Sequence, residues 1–276
     1  MPDAVRPTTV RRCAVLGSPI THSLSPVMHR AAYAELGLDW TYEAIEVGED
    51  ELAGFLAGLD ASWRGLSLTM PLKRVGLELV DRASSVATAV GGVNTILLGD
   101  GLRAGDNTDV PGVMGALRER DLGEPRSARI VGGGATATSV AYALAALGVS
   151  ELEIVVRDRS RATAPAEAAR GAGVSVAVES FEHPLLAKVD VLVSTIPGSA
   201  VGSRSHELAE SSRAVFDVAY DPWPSPLVSA AEQAGLPIVT GIDLLAHQAA
   251  LQVELMTGSE VEPSLLRAAA LGALES

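Results

Sequence analysis

Residues 128–148 read ARIVGGGATATSVAYALAALG, three consecutive glycines set between an apolar run and a helical pattern. Few folds accept that order. Arg129, Ile130 and Val131 begin a buried strand, and Val140, Ala143, Leu144 and Leu147 then recur at helical spacing. Gly148 stands where a helix C-terminus favours glycine. Strand, glycine turn and helix open a βαβ unit whose helix N-terminus presents unsatisfied N–H groups to a phosphate. Gly132 permits the tight turn, Gly134 lets the backbone approach a pyrophosphate, and Ala137 replaces the third glycine of G-x-G-x-x-G. A second strand over 152–156 runs into Arg157-Asp158-Arg159, where such a unit reads the ribose of a dinucleotide.

The glycine turn lies near the middle of a 276-residue chain, long enough for two domains, so the first half needs a role of its own. Hydrophobic residues make up 47%, which favours packed cores over disorder. A net charge of −13 argues against nucleic acid or an anionic membrane surface as a partner, and an anionic ligand must be held by local donors. The single cysteine, Cys13, lies in an apolar run and reads as core; it excludes an internal disulfide and a cysteine-based zinc cluster. His22, His29, His183, His206 and His247 form no metal pattern, and no metal is expected. The N-terminal residues lack a signal-peptide core and no apolar run reaches membrane-spanning length, so a cytoplasmic protein is expected.

In the first half, a strand over 13–16 closes at Gly17-Ser18-Pro19 and is followed by THSLSP and a helix over 27–36. Ser25 before Pro26 reads locally as an N-cap. A strand over 41–47, a helix over 51–59 and a strand over 64–70 lead to Pro71-Leu72-Lys73. Lys73 falls just past a strand end, where open α/β sheets place ligands, although a solvated lysine is an equal local reading. A short helix over 84–89, the segment Gly91-Gly92-Val93-Asn94-Thr95 and a hairpin turn at Gly99-Asp100-Gly101 come next. Residues 105–109, GDNTD, then precede a helix to about Glu119, with Asp109 as its local N-cap candidate. The alternation predicts an α/β domain with a mostly parallel sheet. In the second half, a helix to Gly173 is followed by strands over 174–178, 189–195, 214–219 and 236–240, with a Pro-Gly turn after the second and Tyr220-Asp221-Pro222-Trp223-Pro224 after the third. A long helix from Gly241 carries Leu244, Leu245, Gln248, Leu251, Gln252 and Leu255 on one side, and a final helix spans 263–274. An amide on an apolar face needs partners, which singles out Gln248; His247 reads as a surface or satisfied histidine.

The segments GSPITHSLSP, SLTMPLK, GGVNT, GDNTD, the glycine turn, YDPWPSP and GIDLLAHQAALQ occur in this order. That series resembles the shikimate dehydrogenase family along essentially the whole chain. The resemblance implies a substrate-binding α/β domain over 1–109 and 243–276, a Rossmann domain binding NADP over 110–242, C-terminal helices returning to the first domain, and an active site in the cleft between domains. It implies that Ser23 and Ser25 hold a substrate carboxylate with Tyr220, and that Thr69, Asn94 and Gln248 contact ring hydroxyls. Ser67 stands where the family commonly has asparagine, so one substrate hydrogen bond is expected to be shorter or water-mediated. Lys73 and Asp109 match the catalytic pair: an ammonium beside a carboxylate can take the alcohol proton and stabilise the developing alkoxide. Gly132, Gly133, Gly134, Ala135, Thr136, Thr195, Ile196 and Gly241 match cofactor-binding positions, with Ala135 departing from the common G-x-G-G. Arg157 and Arg161 favour a 2′-phosphate and Asp158 a ribose diol, so NADP is the expected cofactor and NAD the alternative. The expected activity is reversible NADP-dependent reduction of 3-dehydroshikimate to shikimate, in aromatic amino-acid biosynthesis. An NAD-dependent quinate/shikimate or aminoshikimate dehydrogenase is the first alternative, and Ser25 favours shikimate because quinate-preferring relatives often carry threonine there. A catalytically inactive nucleotide-binding regulator is the second, and retention of Lys73 and Asp109 speaks against it. The expected partner is a small-molecule substrate, and the expected assembly a monomer or homodimer.

Overall fold

In the computed structural model, which describes residues 10–122, 124–185 and 187–275, period-2 and period-3.6 apolar patterns become alternating strands and helices. The chain divides into two units: one comprises residues up to 87, 92–107 and 249 onward, the other 88–91 with 108–248.

The first unit contains β1 (Arg12–Gly17), α1 (Ser25–Glu35), β2 (Thr41–Glu46), α2 (Glu49–Ala57), β3 (Trp63–Leu68), α3 (Lys73–Glu78) and β4 (Arg82–Ala83). After α4 (Ser85–Val90), which spans the unit boundary, β5 (Thr95–Gly99) and β6 (Leu102–Asp106) form a hairpin. Its turn holds Asp100 and Gly101 at φ 52° and 72°, the left-handed geometry that suits a two-residue hairpin turn. The sheet runs β2-β1-β3-β5-β6-β4. The β1–β2, β1–β3 and β4–β6 pairings are parallel, while β3–β5 and β5–β6 are antiparallel because the hairpin inserts there. Alternation along β1 sends Ala14 and Leu16 into one core with Leu66, Leu68 and Ile96, and Cys13 and Val15 into another with Tyr33 and Tyr42. Helix α3 lacks a sequence signal because six residues are too few to establish a period.

The second unit begins with α5 (Asp109–Glu119), β7 (Ser127–Val131), α6 (Ala135–Ala146) and β8 (Glu151–Val156). A 3₁₀ turn over Arg159–Ala162 leads to α7 (Thr163–Gly171), β9 (Ser175–Ser180), β10 (Val191–Ser194), α8 (Gly198–Val201) and α9 (Ser205–Glu210). Then come β11 (Val215–Asp217), α10 (Pro226–Gln233), β12 (Ile238–Thr240) and α11 (Gly241–Thr257), the last crossing into the first unit before α12 (Pro263–Leu274). The sheet order β12-β11-β10-β7-β8-β9 is parallel throughout. It is the doubly wound order with the strand direction of travel reversing between β7 and β10, which is where such sheets leave a crevice for a dinucleotide.

Helix α11 departs from expectation. Its buried residues include Ile242, Asp243, Leu244, Ala246, Ala249, Ala250, Gln252, Val253 and Met256, whereas Leu245, Gln248, Leu251 and Leu255 are half-buried. Some larger side chains of the helix are admitted by glycines opposite them: a Cβ on Gly112 of α5 would stand 3.1 Å from Gln248 Cβ, and one on Gly65 of β3 would collide with Met256. No helix among the described residues is long and apolar enough to cross a membrane.

Candidate active site

In the first unit, the C-terminal ends of β1 and β3 and the loop entering β5 are laced by backbone hydrogen bonds. Thr69 N donates to Leu16 O at 2.9 Å, Leu68 N to Asn94 O at 2.7 Å, and Val93 N to Lys73 O at 2.8 Å. Asn107 Nδ2 donates to Gly92 O at 2.9 Å and holds the same loop. A Cβ on Gly92 would meet the Lys73 carbonyl oxygen at 3.2 Å, so only a small residue lets the loop lie against the start of α3. These contacts bring Thr69, Lys73 and Asn94 to one edge of the sheet, the end where α/β sheets bind ligands. Lys73 is half-buried as the first residue of α3 rather than part of a loop, and Asn94 is buried.

Ser25 does not cap α1. The helix begins at Ser25 itself, and Ser23 Oγ accepts from Ser25 N at 3.3 Å. Both serines are half-buried. Ser67 is buried, accepting from the Tyr42 hydroxyl at 2.6 Å and donating to Gln252 Oε1 at 2.8 Å, so its proton is committed within the protein.

In the second unit, Asp109 is likewise not a cap: Thr108 holds the N-cap position of α5, and Asp109 is only 2% exposed at the first helical position. Gln248 packs on α5 at Gly112. His247 is satisfied by Glu119, with Nε2 2.7 Å from Oε2. Tyr220 lies on the loop after β11, and burial raises its phenol pKa, with Asp221 adding to the shift. That loop is tied down by buried Asp217, which accepts from Ala219 N and from the Ser225 hydroxyl while Ser225 caps α10. Burial holds the Asp217 carboxyl above its ordinary range.

The glycine turn follows β7 directly. Gly132 has φ 121°, and its N–H donates to Val155 O at 3.0 Å. A Cβ on Gly133 would collide with the Arg161 carbonyl, so the middle glycine admits the 157–161 turn against the loop, a requirement the sequence pattern leaves unstated. Gly134 is the N-cap of α6, with Ala135 and Thr136 in its first turn and Ala137 fully buried. Thr195 follows β10 and donates its hydroxyl to Val131 O at 3.1 Å; Ile196 packs on the core beneath. Gly241 opens α11 against the Val218 carbonyl. Asp158 caps the 3₁₀ turn: its Oδ1 accepts from Ser160 N at 2.9 Å and Ser160 Oγ at 2.8 Å. The Ser160 backbone N–H holds its carboxyl below the ordinary range. Arg157 lies beside the Phe181 ring, and Arg159 turns away to Val178 O.

Sequence reading misses a buried polar cluster in the first unit. His29, Tyr42, Ser67, Asn94, Thr95 and Gln252 come from distant segments, each 4% exposed or less. His29 stacks on Tyr42 with ring centroids 3.9 Å apart, and burial pushes its pKa down to about 3. An imidazole that ionises near 6.5 when unfolded and near 3 when folded makes the unfolded state bind more protons between those values. Stability is therefore complete above about pH 6.5 and falls, by up to about 1.4 kcal/mol per pH unit, as pH drops toward about 3. Urea midpoints measured from pH 7 to pH 4 should show this slope reduced in His29→Gln; an unchanged slope would assign it to other groups.

Residues 15–96 match the shikimate dehydrogenase substrate binding domain. A shikimate dehydrogenase (NADP(+)) of Archaeoglobus fulgidus is 35% identical over 266 residues, 94% of this chain and 97% of its own. The crystal structure of a shikimate 5-dehydrogenase from Mycobacterium fortuitum is 42% identical with a TM-score of 0.84, covering 94% of this chain and 97% of that one. The shikimate 5-dehydrogenase of Thermus thermophilus, solved in complex with NADP(H) and shikimate, is 33% identical with a TM-score of 0.83, covering 96% and 100%. Shared from end to end with these relatives, the sequence and the fold place the chain in the shikimate dehydrogenase family.

Proposed function

We propose that this chain catalyses the reversible NADP-dependent reduction of 3-dehydroshikimate to shikimate. The observation that carries the reading is near-complete coverage of relatives named for that activity, one of them solved with both NADP(H) and shikimate. Lys73 acts as acid/base toward the hydroxyl being oxidised, and Asp109 orients it and the substrate. Ser23, Ser25 and Tyr220 hold the substrate carboxylate; Thr69, Asn94 and Gln248 hold the ring hydroxyls. Ser67 joins them only as an acceptor, because its proton goes to Gln252. The substrate-binding role falls to 1–109 with 243–276 and the NADP-binding role to 110–242. The N-terminus of α6 takes the pyrophosphate, with Gly132, Gly133, Gly134, Ala135 and Thr136 around it and Thr195, Ile196 and Gly241 beyond. NADP supplies the hydride acceptor; the protein orients the alcohol and moves its proton.

The position of Asp158 supports NADP over NAD. One carboxylate oxygen is engaged in capping the turn, while Arg157 and Arg161, both exposed residues, flank it along the chain. Arg157→Ala and Arg161→Ala should each raise KM for NADP by about 10- to 100-fold, the worth of a charge-assisted hydrogen bond, with little effect on NAD. Equal losses with both cofactors would remove these arginines from the 2′-phosphate. The direct test of the proposal is reduced-nicotinamide absorbance with shikimate and quinate against NADP and NAD. Turnover should favour shikimate with NADP; no turnover with any pair would overturn the reading.

A further inference from the structure

Arg157 follows β8 as an exposed residue, and its Nη2 donates to Ala200 O at 3.3 Å. An exposed arginine side chain loses rotamer freedom when a ligand fixes it, so whatever fixes it beforehand strengthens binding. Phe181 stands where it can do this. Its N–H donates to Val156 O at 2.9 Å, which places the residue after β9 beside the start of Arg157. The half-buried Phe181 ring packs on the core that contains Val131, Val155 and Leu192. Two guanidinium groups lie over it, with Arg204 Cζ 4.9 Å and Arg157 Cζ 5.7 Å from the ring centroid. Arg204 is itself anchored. Its Nε and Nη2 donate to the two Glu207 carboxylate oxygens at 2.7 and 2.6 Å, and Nη2 also donates to His183 O at 3.0 Å. Glu207 therefore balances the Arg204 charge, whereas Arg157 forms no ion pair among the described residues. The surroundings fit a dinucleotide: nothing lies within 4 Å of the place a Cβ would take on Gly134, at the N-cap of α6.

We infer that Phe181, braced by Arg204, is a positioning residue that holds the Arg157 guanidinium for the 2′-phosphate and so helps the protein tell NADP from NAD. This deepens the proposed function and rests on its placement of Arg157 at that phosphate. An ion pair would also fix Arg157, but it would neutralise the charge and occupy the donors that the phosphate needs. A cation over a ring face is held by the ring quadrupole and spends no donor. The guanidinium keeps its N–H groups for two phosphate oxygens. Phe181 acts through Arg157.

Titration calorimetry of the whole protein with NADP and with NAD tests this without turnover. Phe181→Leu keeps an apolar side chain on the core and removes the ring. It should weaken NADP binding about two- to fivefold, the worth of a cation–π contact near solvent, with NAD binding unchanged. Phe181→Tyr keeps the ring and should bind NADP as wild type does. Adding Phe181→Leu to Arg157→Ala should cost nothing further, because the ring then has no guanidinium to hold. If Phe181→Leu does not fold, Arg204→Gln removes the brace and should weaken NADP binding alone. Equal losses with NADP and NAD, or a loss that persists in the Arg157→Ala background, would make Phe181 merely structural and overturn the positioning role. If Arg157→Ala weakens NADP binding while Phe181→Leu and Arg204→Gln do not, the positioning role is wrong and the NADP reading stands. If Arg157→Ala leaves NADP binding unchanged, Arg157 is not a phosphate contact and both readings of it fall.

Discussion

Lys73→Ala is expected to lower kcat for shikimate oxidation by about 10²–10⁴, with KM for NADP within about twofold of wild type. Oxidising a secondary alcohol sends a hydride to the nicotinamide and leaves a proton that must be accepted as the bond breaks. Lys73 is suited to that because its backbone is fixed on two sides: its carbonyl accepts from Val93 N, and Gly92 lies against it without a side chain between. The side chain therefore starts from a defined point at the edge of the sheet that also carries Thr69 and Asn94. A loss of 10²–10⁴ corresponds to roughly 3–5 kcal/mol of transition-state stabilisation. Charge alone and proton transfer separate in Lys73→Arg, because a guanidinium keeps the positive charge and does not deprotonate in proteins. Lys73→Arg should remain close to the alanine variant in kcat. Recovery to near wild-type turnover would make the role electrostatic and end the acid/base assignment.

What the sequence reveals and hides follows the range of the interactions involved. The glycine turn, the strands around it and the hairpin at Gly99-Asp100-Gly101 depend on neighbours within a few residues, and they are legible. The two local cap readings fail by a single position. Ser25 and Asp109 are first helical residues, not N-caps, and a shift of one residue along a helix start is invisible to composition. Asp109 is buried, which nothing in GDNTD announces. The face of α11 is misread because leucine outranks alanine and glutamine in a hydrophobic pattern, whereas glycines on neighbouring elements let Met256, Gln248 and His247 pack closely. The buried cluster of His29, Tyr42, Ser67, Asn94, Thr95 and Gln252 is the least legible feature. Its members lie up to 223 residues apart, and each is ordinary in its own segment. One signal is available: Gln252, like Gln248, is an amide on an apolar face, and such an amide requires buried partners somewhere.

Arg129→Met should cost about 3–5 kcal/mol of stability and lower the melting temperature by roughly 6–20 °C. Arg129 sits within β7, two residues ahead of the strand's end and the glycine turn beyond it, and its side chain is fully buried. Such a charge is tolerable only when every donor is met. Its Nε donates to Glu153 Oε2 at 2.8 Å, and Nη2 reaches the same oxygen at 2.6 Å and Ala187 O at 2.8 Å. Nη1 donates to Ser211 Oγ at 2.7 Å and Ser211 O at 3.3 Å. The guanidinium thus joins β7 to β8, to the end of α9 and to the segment before β10, tying the central strands of the cofactor unit to its periphery. Methionine fills much of the volume but strands two carbonyls, a hydroxyl and a carboxylate. Glu153→Gln should cost about 1–3 kcal/mol, because glutamine retains an acceptor for the guanidinium but removes the carboxylate that balances its fully buried charge. The double variant Arg129→Met with Glu153→Leu should lose less than the sum of the single changes, since removing both partners of a buried pair leaves no orphaned charge. Thermal melts of the single and double variants measure this directly. A melting temperature for Arg129→Met within about 2 °C of wild type would mean that water or a shifted side chain satisfies the four stranded groups, and the guanidinium would then be no clamp.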